Sequence, residues 1–179
     1  MFKSFFMVLL LWSSCAHSGT TSDVETVPYV DIERYMGKWY EIARYPQTFQ
    51  KNCGATTAEY KLRNDGKVDV INSCKRIDRN GRIQEAKAIA RVVNTETNAE
   101  LSVSFVPILR YFGFFGGDYW ILDLGDDYEY AVVGSPNRES LWFLSRTPTM
   151  TPELFDDLIE KVQEQGFDPK RLVRSPTWK

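Results

Sequence analysis

Along residues 83–92, IQEAKAIARV, charged and small apolar side chains take turns: Glu85, Lys87 and Arg91 share one parity, Ala86, Ala88, Ala90 and Val92 the other. A period of two marks a strand with one wet face and one buried face. The same alternation sets Thr56, Ala58, Tyr60 and Leu62 against Glu59, Lys61 and Arg63, and Leu101, Val103 and Phe105 against Ser102 and Ser104. With the less regular runs included, strands are predicted near 38–45, 55–63, 68–74, 83–93, 99–106, 118–124, 129–134 and 141–146. The Asp-Gly pair in NDGK, residues 64–67, suits a tight hairpin between the second and third of these. Eight meandering strands can close on themselves and so remove their exposed edges. The expected fold is therefore all-β, an eight-stranded antiparallel up-and-down barrel.

One stretch has a helical period. In TPTMTPELFDDLIEKVQEQG, residues 147–166, Thr151 can cap a helix, Pro152 sits at its first position and Gly166 is suited to end it. Leu154, Phe155, Leu158, Ile159 and Val162 form one apolar stripe, which needs a surface to cover. The outer face of the later strands offers one, because runs such as YWILDL, residues 119–124, are apolar on both faces. A shorter segment, DIERYM at 31–36, reads as a single helical turn begun by Asp31.

What would fill the barrel is the next question. The inward face of 83–92 is a column of alanines, too small to occupy so wide an interior at protein density. A hollow follows, walled by Ala58, Tyr60, Val70, Ala86, Ala88, Ala90, Leu101, Val103, Phe105, Trp120, Leu122, Val133 and Trp142. The alternative is a filled barrel, with Trp120, Trp142 and the phenylalanines meeting from the opposite wall, acting as an interaction module.

Composition narrows the chemistry. The 179 residues suit one domain, and the single histidine, His17, lies ahead of it. A histidine-assisted nucleophile and a histidine-ligated zinc or haem are thus unavailable inside the fold, and no glycine-rich phosphate cradle occurs. No catalytic residue, metal or cofactor is expected, and no nucleic-acid partner; a cavity acid or tyrosine acting on a lipid is the enzymatic alternative. Residues 1–14, MFKSFFMVLLLWSS, have the early lysine, short apolar run and small residues of an export signal. Export makes a disulfide between Cys53 and Cys74 reasonable, and leaves Cys15 over. Residues 15–28 read as a mobile tether, and 29–179 as the folded domain.

Two resemblances give these pieces a name. LLLWSSC is similar to the lipobox of bacterial lipoproteins, although Trp12 stands three before the cysteine where leucine is usual. That implies acylation of Cys15, palmitate included; cleavage after Ala16 and a free thiol are the rival readings. The domain itself resembles the lipocalin family, in its bacterial outer-membrane lipoprotein branch. Gly37 and Trp39 in GKWYEIAR match the first family motif, Arg146 in LWFLSRTP the third, and Gly125, Asp126 and Asp127 followed by Tyr128 a degraded second. The resemblance implies that Arg146 lies across Trp39 at a closed end, with Gly37 leaving it room and Ile32, Tyr35 and Met36 as a plug. It also implies a small lipophilic ligand, a fatty acid or lysophospholipid, carried or stored by a protein that is acyl-anchored in the outer membrane and faces the periplasm.

In such a barrel alternate loops share an end. VPILRYFGFFGG, residues 106–117, is unusually apolar for a loop and falls opposite the plug, where Arg110, Tyr111, Phe112, Phe114 and Phe115 would line the mouth. The same aromatics could fold down as core or serve a homodimer. At the mouth Lys51, Lys75, Arg76, Arg79, Arg82, Arg110 and Arg138 outnumber Asp78 and Glu139 by five; at the closed end Asp65, Glu96, Asp126, Asp127 and Glu129 outnumber Lys67 by four. The positive mouth either meets anionic lipid groups or is a solvated loop surface.

Overall fold

A computed structural model of the chain describes residues 23–105 and 116–178. The expected export signal, the first part of the expected tether with Cys15, and the loop residues Arg110, Tyr111, Phe112, Phe114 and Phe115 lie outside the described residues. The strands are β1 (Gly37–Arg44), β2 (Cys53–Leu62), β3 (Val68–Arg76), β4 (Ile83–Val92), β5 (Glu100–Ser104), β6 (Gly116–Leu124), β7 (Tyr130–Gly134) and β8 (Leu141–Ser145). Each pairs antiparallel with the next, and β8 and β2 both pair with β1, which closes the barrel. The strands stand where the alternation places them.

Closure is uneven. β1 meets β2 only from Gly37 to Tyr40, and beyond that its free edge is taken by a strand the sequence pattern does not announce, β9 (Val173–Arg174). A register shift between Glu41 and Ala43 turns both Ile42 and Ala43 outward, where they pack in the outer core cluster.

The short helix α1 (Ile32–Tyr35) follows Asp31, whose carboxylate accepts from the backbone of Glu33 and Arg34. The long helix α2 (Pro152–Glu164) is capped by Thr151, whose side chain accepts from Leu154 N, and is followed by Gly166 at φ +80°. Phe155, Leu158 and Val162 are buried against Leu122, Val132, Leu141 and Phe143. This outer cluster lies outside the barrel wall; a second, inner cluster gathers Trp39, Tyr35, Tyr60, Val70, Ala88, Ala90, Leu101 and Val133.

Two expectations are corrected. Order begins before Tyr29: Val24 is buried in the outer cluster, and Val27 N–H donates to Ile121 O at 2.9 Å. Trp120 and Leu122 belong to the outer cluster, not the cavity wall. Directly opposed residues of a ladder share a face, and Leu101 stands opposite Tyr119, Val103 opposite Gly117. The inward positions of β6 are therefore Gly117, Tyr119 and Ile121. A strand apolar on both faces gives alternation nothing to choose between.

Candidate functional site

The closed end is built around Arg146, just past the end of β8. Its Cζ lies 3.8 Å from the centre of the Trp39 ring. The guanidinium also donates to three backbone carbonyls, those of Arg34 at 2.8 Å, Lys38 at 3.1 Å and Tyr128 at 3.2 Å. One side chain thus ties the α1 turn, the first strand and the β6–β7 loop together. Trp39 Nε1 donates to Tyr35 O at 2.9 Å, and Asp31 N–H donates to the Tyr128 hydroxyl at 2.8 Å. Gly37 has a reason beyond room: its φ is +92°, and an added Cβ would meet Arg146 Nη1 at 3.4 Å, an ordinary contact. Backbone conformation, more than space, demands the glycine.

Above this seal the barrel is hollow, with a cavity of about 710 Å³ open at the opposite end. That size falls among small-molecule sites. Of the expected wall, Ala58, Tyr60, Val70, Ala86, Ala90, Leu101, Val103, Phe105 and Trp142 line it. Ala88 and Val133 are buried in the inner cluster but do not line the open space. Phe143, Phe155 and Phe167 stand in the outer cluster with Trp120, so these side chains do not meet across the axis.

Sequence reasoning missed the polar side of the lining. Tyr35 and Tyr119 join Tyr60, their hydroxyls 2.7 Å (Tyr35 to Tyr119) and 3.0 Å (Tyr60 to Tyr119) apart. Burial pushes all three phenols up, Tyr60 to about 12, so they stay neutral at any physiological pH. Ile32 and Met36 line the cavity beside Tyr35, as a plug should. Higher up, Thr56, Thr57, Asn72, Gln84, Ser135, Asn137 and Ser140 supply uncharged hydrogen-bonding groups.

Among the described residues, the one ion pair that reaches the lining sits at the seam between β1 and β2. The buried Glu41 carboxylate accepts from Arg44, from the Ser175 hydroxyl and from Gln50 Nε2, and Gln50 Oε1 accepts from Trp142 Nε1 at 3.2 Å. Glu41 faces the cavity already neutralised. Among the described residues no lysine or arginine lines the space, whose charged members are Glu41 and Asp118. The cations stand at the rim.

Cys53 and Cys74 are bonded beneath that rim, across 21 positions of sequence. A loop of that length gives about 3 kcal/mol in the chain-entropy account. Hairpin register alone does not bring them together; an irregularity between Cys53 and Thr56 in β2 sets Thr56 opposite Cys74. The rim loops are further tied by Ile77 N–H to Asn52 O at 2.9 Å and Arg76 Nη1 to Lys51 O at 3.3 Å.

Comparison with known proteins agrees with this geometry. The family model for a lipocalin-like domain matches residues 30–177. The chain is 38% identical over 174 residues to the outer membrane lipoprotein Blc of Vibrio cholerae, covering 96% of each chain. It is 36% identical to that of Escherichia coli K12, covering 89% of this chain and 86% of the other. It is also 37% identical to temperature-induced lipocalin-1 of Arabidopsis thaliana, covering 86% and 83%. Among solved structures, insecticyanin of the tobacco hornworm Manduca sexta superposes with a TM-score of 0.62 at 19% identity, covering 88% and 86%. Lobster apocrustacyanin A1 does so with 0.63 at 16%, covering 82% and 79%. Barrel, closed-end clamp and family match agree, and the chain belongs to the lipocalin family, whose members bind small hydrophobic ligands.

Proposed function

We propose that the chain binds a single-tailed amphiphile, a fatty acid or lysophospholipid, and carries or stores it at the bacterial outer membrane. The observation that carries this reading is the unfilled interior, walled by alanines, valines and tyrosines and reached from one end. Each methylene withdrawn from water contributes ~0.8 kcal/mol, so ten buried carbons supply ample affinity before ordering costs are met. With no cation among the described lining residues, an anionic head gains nothing from deep entry. It stays near Lys51, Arg79 and Arg82 at the rim while the tail runs inward. Burial is the whole mechanism and needs no catalytic group.

The location rests on the N-terminus. Cys15, acylated after removal of the export signal, anchors the chain, and the relatives named outer membrane lipoproteins support placing it in that membrane, facing the periplasm. Native mass spectrometry of protein purified from membranes tests both parts. The expected species carries a diacylglyceryl and acyl mass at Cys15 and one single-tailed lipid per chain. A chain ending in an unmodified thiol would remove the anchor, and one that neither arrives with a lipid nor takes up added lysophospholipid would remove the carrier.

A further inference from the structure

Large apolar side chains left exposed cluster at one end of the molecule. Of seven among the described residues, four surround the mouth: Phe49 at 60% exposed, Ile77 at 69%, Ile83 at 54% and Phe105 at 39%. Single exposed apolar residues need no explanation, but a ring of them around an opening does. Nor is the ring slack. Ile77 is held by its own N–H on Asn52 O, and Asn52 Nδ2 donates to Asp78 at 3.3 Å.

Charge is arranged in the same ring. The two loops that carry Phe49 and Ile77, residues 45–52 and 76–82, hold Lys51, Arg76, Arg79 and Arg82 against Asp78, a surplus of three. Arg138 and Glu139 in the third described mouth loop cancel, as do Glu85 and Lys87 below the rim on β4, while Asp118 stands at the mouth end of β6. The closed-end loops at 64–67, 94–98 and 125–129 hold Asp65, Glu96, Asp126, Asp127 and Glu129 against Lys67. A negatively charged plane attracts one end and repels the other.

The N-terminal segment enters at the attracted end. Glu25 N–H donates to Gln165 Oε1 at 3.1 Å, and the Gln165 carbonyl accepts from Arg138 of the mouth loop at 2.6 Å. Five residues later Val30 N–H donates to Thr97 O in a closed-end loop. From Cys15 to Asp23 is a span of eight residues, at most about 26 to 29 Å of extended chain. An anchor at Cys15 is therefore no farther than that from Asp23, two residues before the contact of Glu25 beside the mouth loop.

From these placements we infer that the barrel docks mouth-first on an anionic phospholipid bilayer. Phe49, Ile77, Ile83 and Phe105 enter the headgroup layer, and Lys51, Arg79 and Arg82 meet the phosphates. The inference rests on the lipid-carrier reading for its purpose and on Cys15 for its anchor. A docked mouth lets a single-tailed lipid pass between bilayer and cavity without crossing water.

The full chain, purified from membranes, is mixed with vesicles of phosphatidylcholine or of an equimolar mixture with phosphatidylglycerol. A nitroxide is placed at Ile77→Cys on the rim or at Lys67→Cys on the closed end, with the unsubstituted chain as blank. The expected result on phosphatidylglycerol vesicles is that the label at 77 becomes accessible to lipid-dissolved oxygen and shielded from a water-soluble nickel chelate, while that at 67 stays in water. Arg79→Gln with Arg82→Gln should weaken this partitioning about thirtyfold. Raising salt from about 0.15 to about 1 M, which shortens the Debye length from about 8 to about 3 Å, should weaken it as well. Equal water access at both positions overturns the proposal, as does protection at 77 without vesicles, which would mean a second copy of the chain covers the rim. Lipid retained in the same preparation is read separately by mass, so a carrier that does not dock and a docked barrel that holds nothing are told apart.

Discussion

The two ends of this barrel use similar residue types for opposite purposes. At the closed end three backbone carbonyls accept from one arginine that lies over a tryptophan ring, and Tyr35, Met36 and Ile32 cover the opening. At the mouth the arginines stand apart from the interior, Phe49 and Phe105 are exposed at its edge, and the lining beneath them is mostly small or uncharged. Stability and binding are separated along the barrel axis. Substitutions at one end should therefore leave the other's property nearly unchanged.

The largest expected effect is on binding. Ala86 lines the cavity opposite Asn72 and has open space before it, so Ala86→Trp should displace about five methylenes of a bound tail. At ~0.8 kcal/mol each, affinity for a fatty acid falls about a thousandfold while the urea midpoint stays within error. Equal losses of both would mean that the interior is packed core.

Arg146→Ala reverses the pattern. Three carbonyls lose their donor and the Trp39 ring loses its cation, at a cost of about 3 kcal/mol. The melting temperature should fall by about 6 to 12 °C for a domain of this size, with the ligand affinity of the folded fraction changed less than threefold. A stable variant that no longer binds would put Arg146 in the binding site instead.

Gly37→Ala is smaller, about 1 to 2 kcal/mol, because a Cβ is strained at positive φ. The informative measurement is the double variant with Arg146→Ala. If Gly37 serves conformation, its cost survives in the double variant; if it only clears space for the guanidinium, the cost disappears.

Smallest is the tyrosine trio. Tyr60→Phe removes one hydroxyl contact, about 1 kcal/mol. The pH dependence has a definite sign: Tyr60 titrates near 12 in the fold against about 10 unfolded, so its contribution is intact below pH 10 and is lost as pH rises toward 12. Unfolding followed between those values should be less steep in pH for Tyr60→Phe.

How much of this was readable depends on what each strand faces. β2, β4 and β5 have water on one side, so Glu59, Lys87 and Ser102 reveal by contrast that Ala58, Ala86 and Leu101 look inward. β6 has α2 on its outer side and offers no such contrast. The long connection before it leaves its register unset, so Trp120 and Leu122 read as wall while Tyr119 went unseen. The seam was hidden for another reason. Glu41 and Arg44 come to one side of the strand only because it shifts register between Glu41 and Ala43, and they are completed by Gln50 and by Ser175, 131 residues beyond Arg44. Gly37, Trp39 and Arg146 were legible as family motifs, although the glycine's positive φ was not.

If a hydrocarbon tail fills the barrel, affinity must follow the length of that tail. Saturated fatty acids of increasing length are titrated into the ligand-free protein by calorimetry. The expected result is one site per chain and an affinity that rises about fourfold per added methylene until the cavity is full. An affinity indifferent to chain length would contradict it.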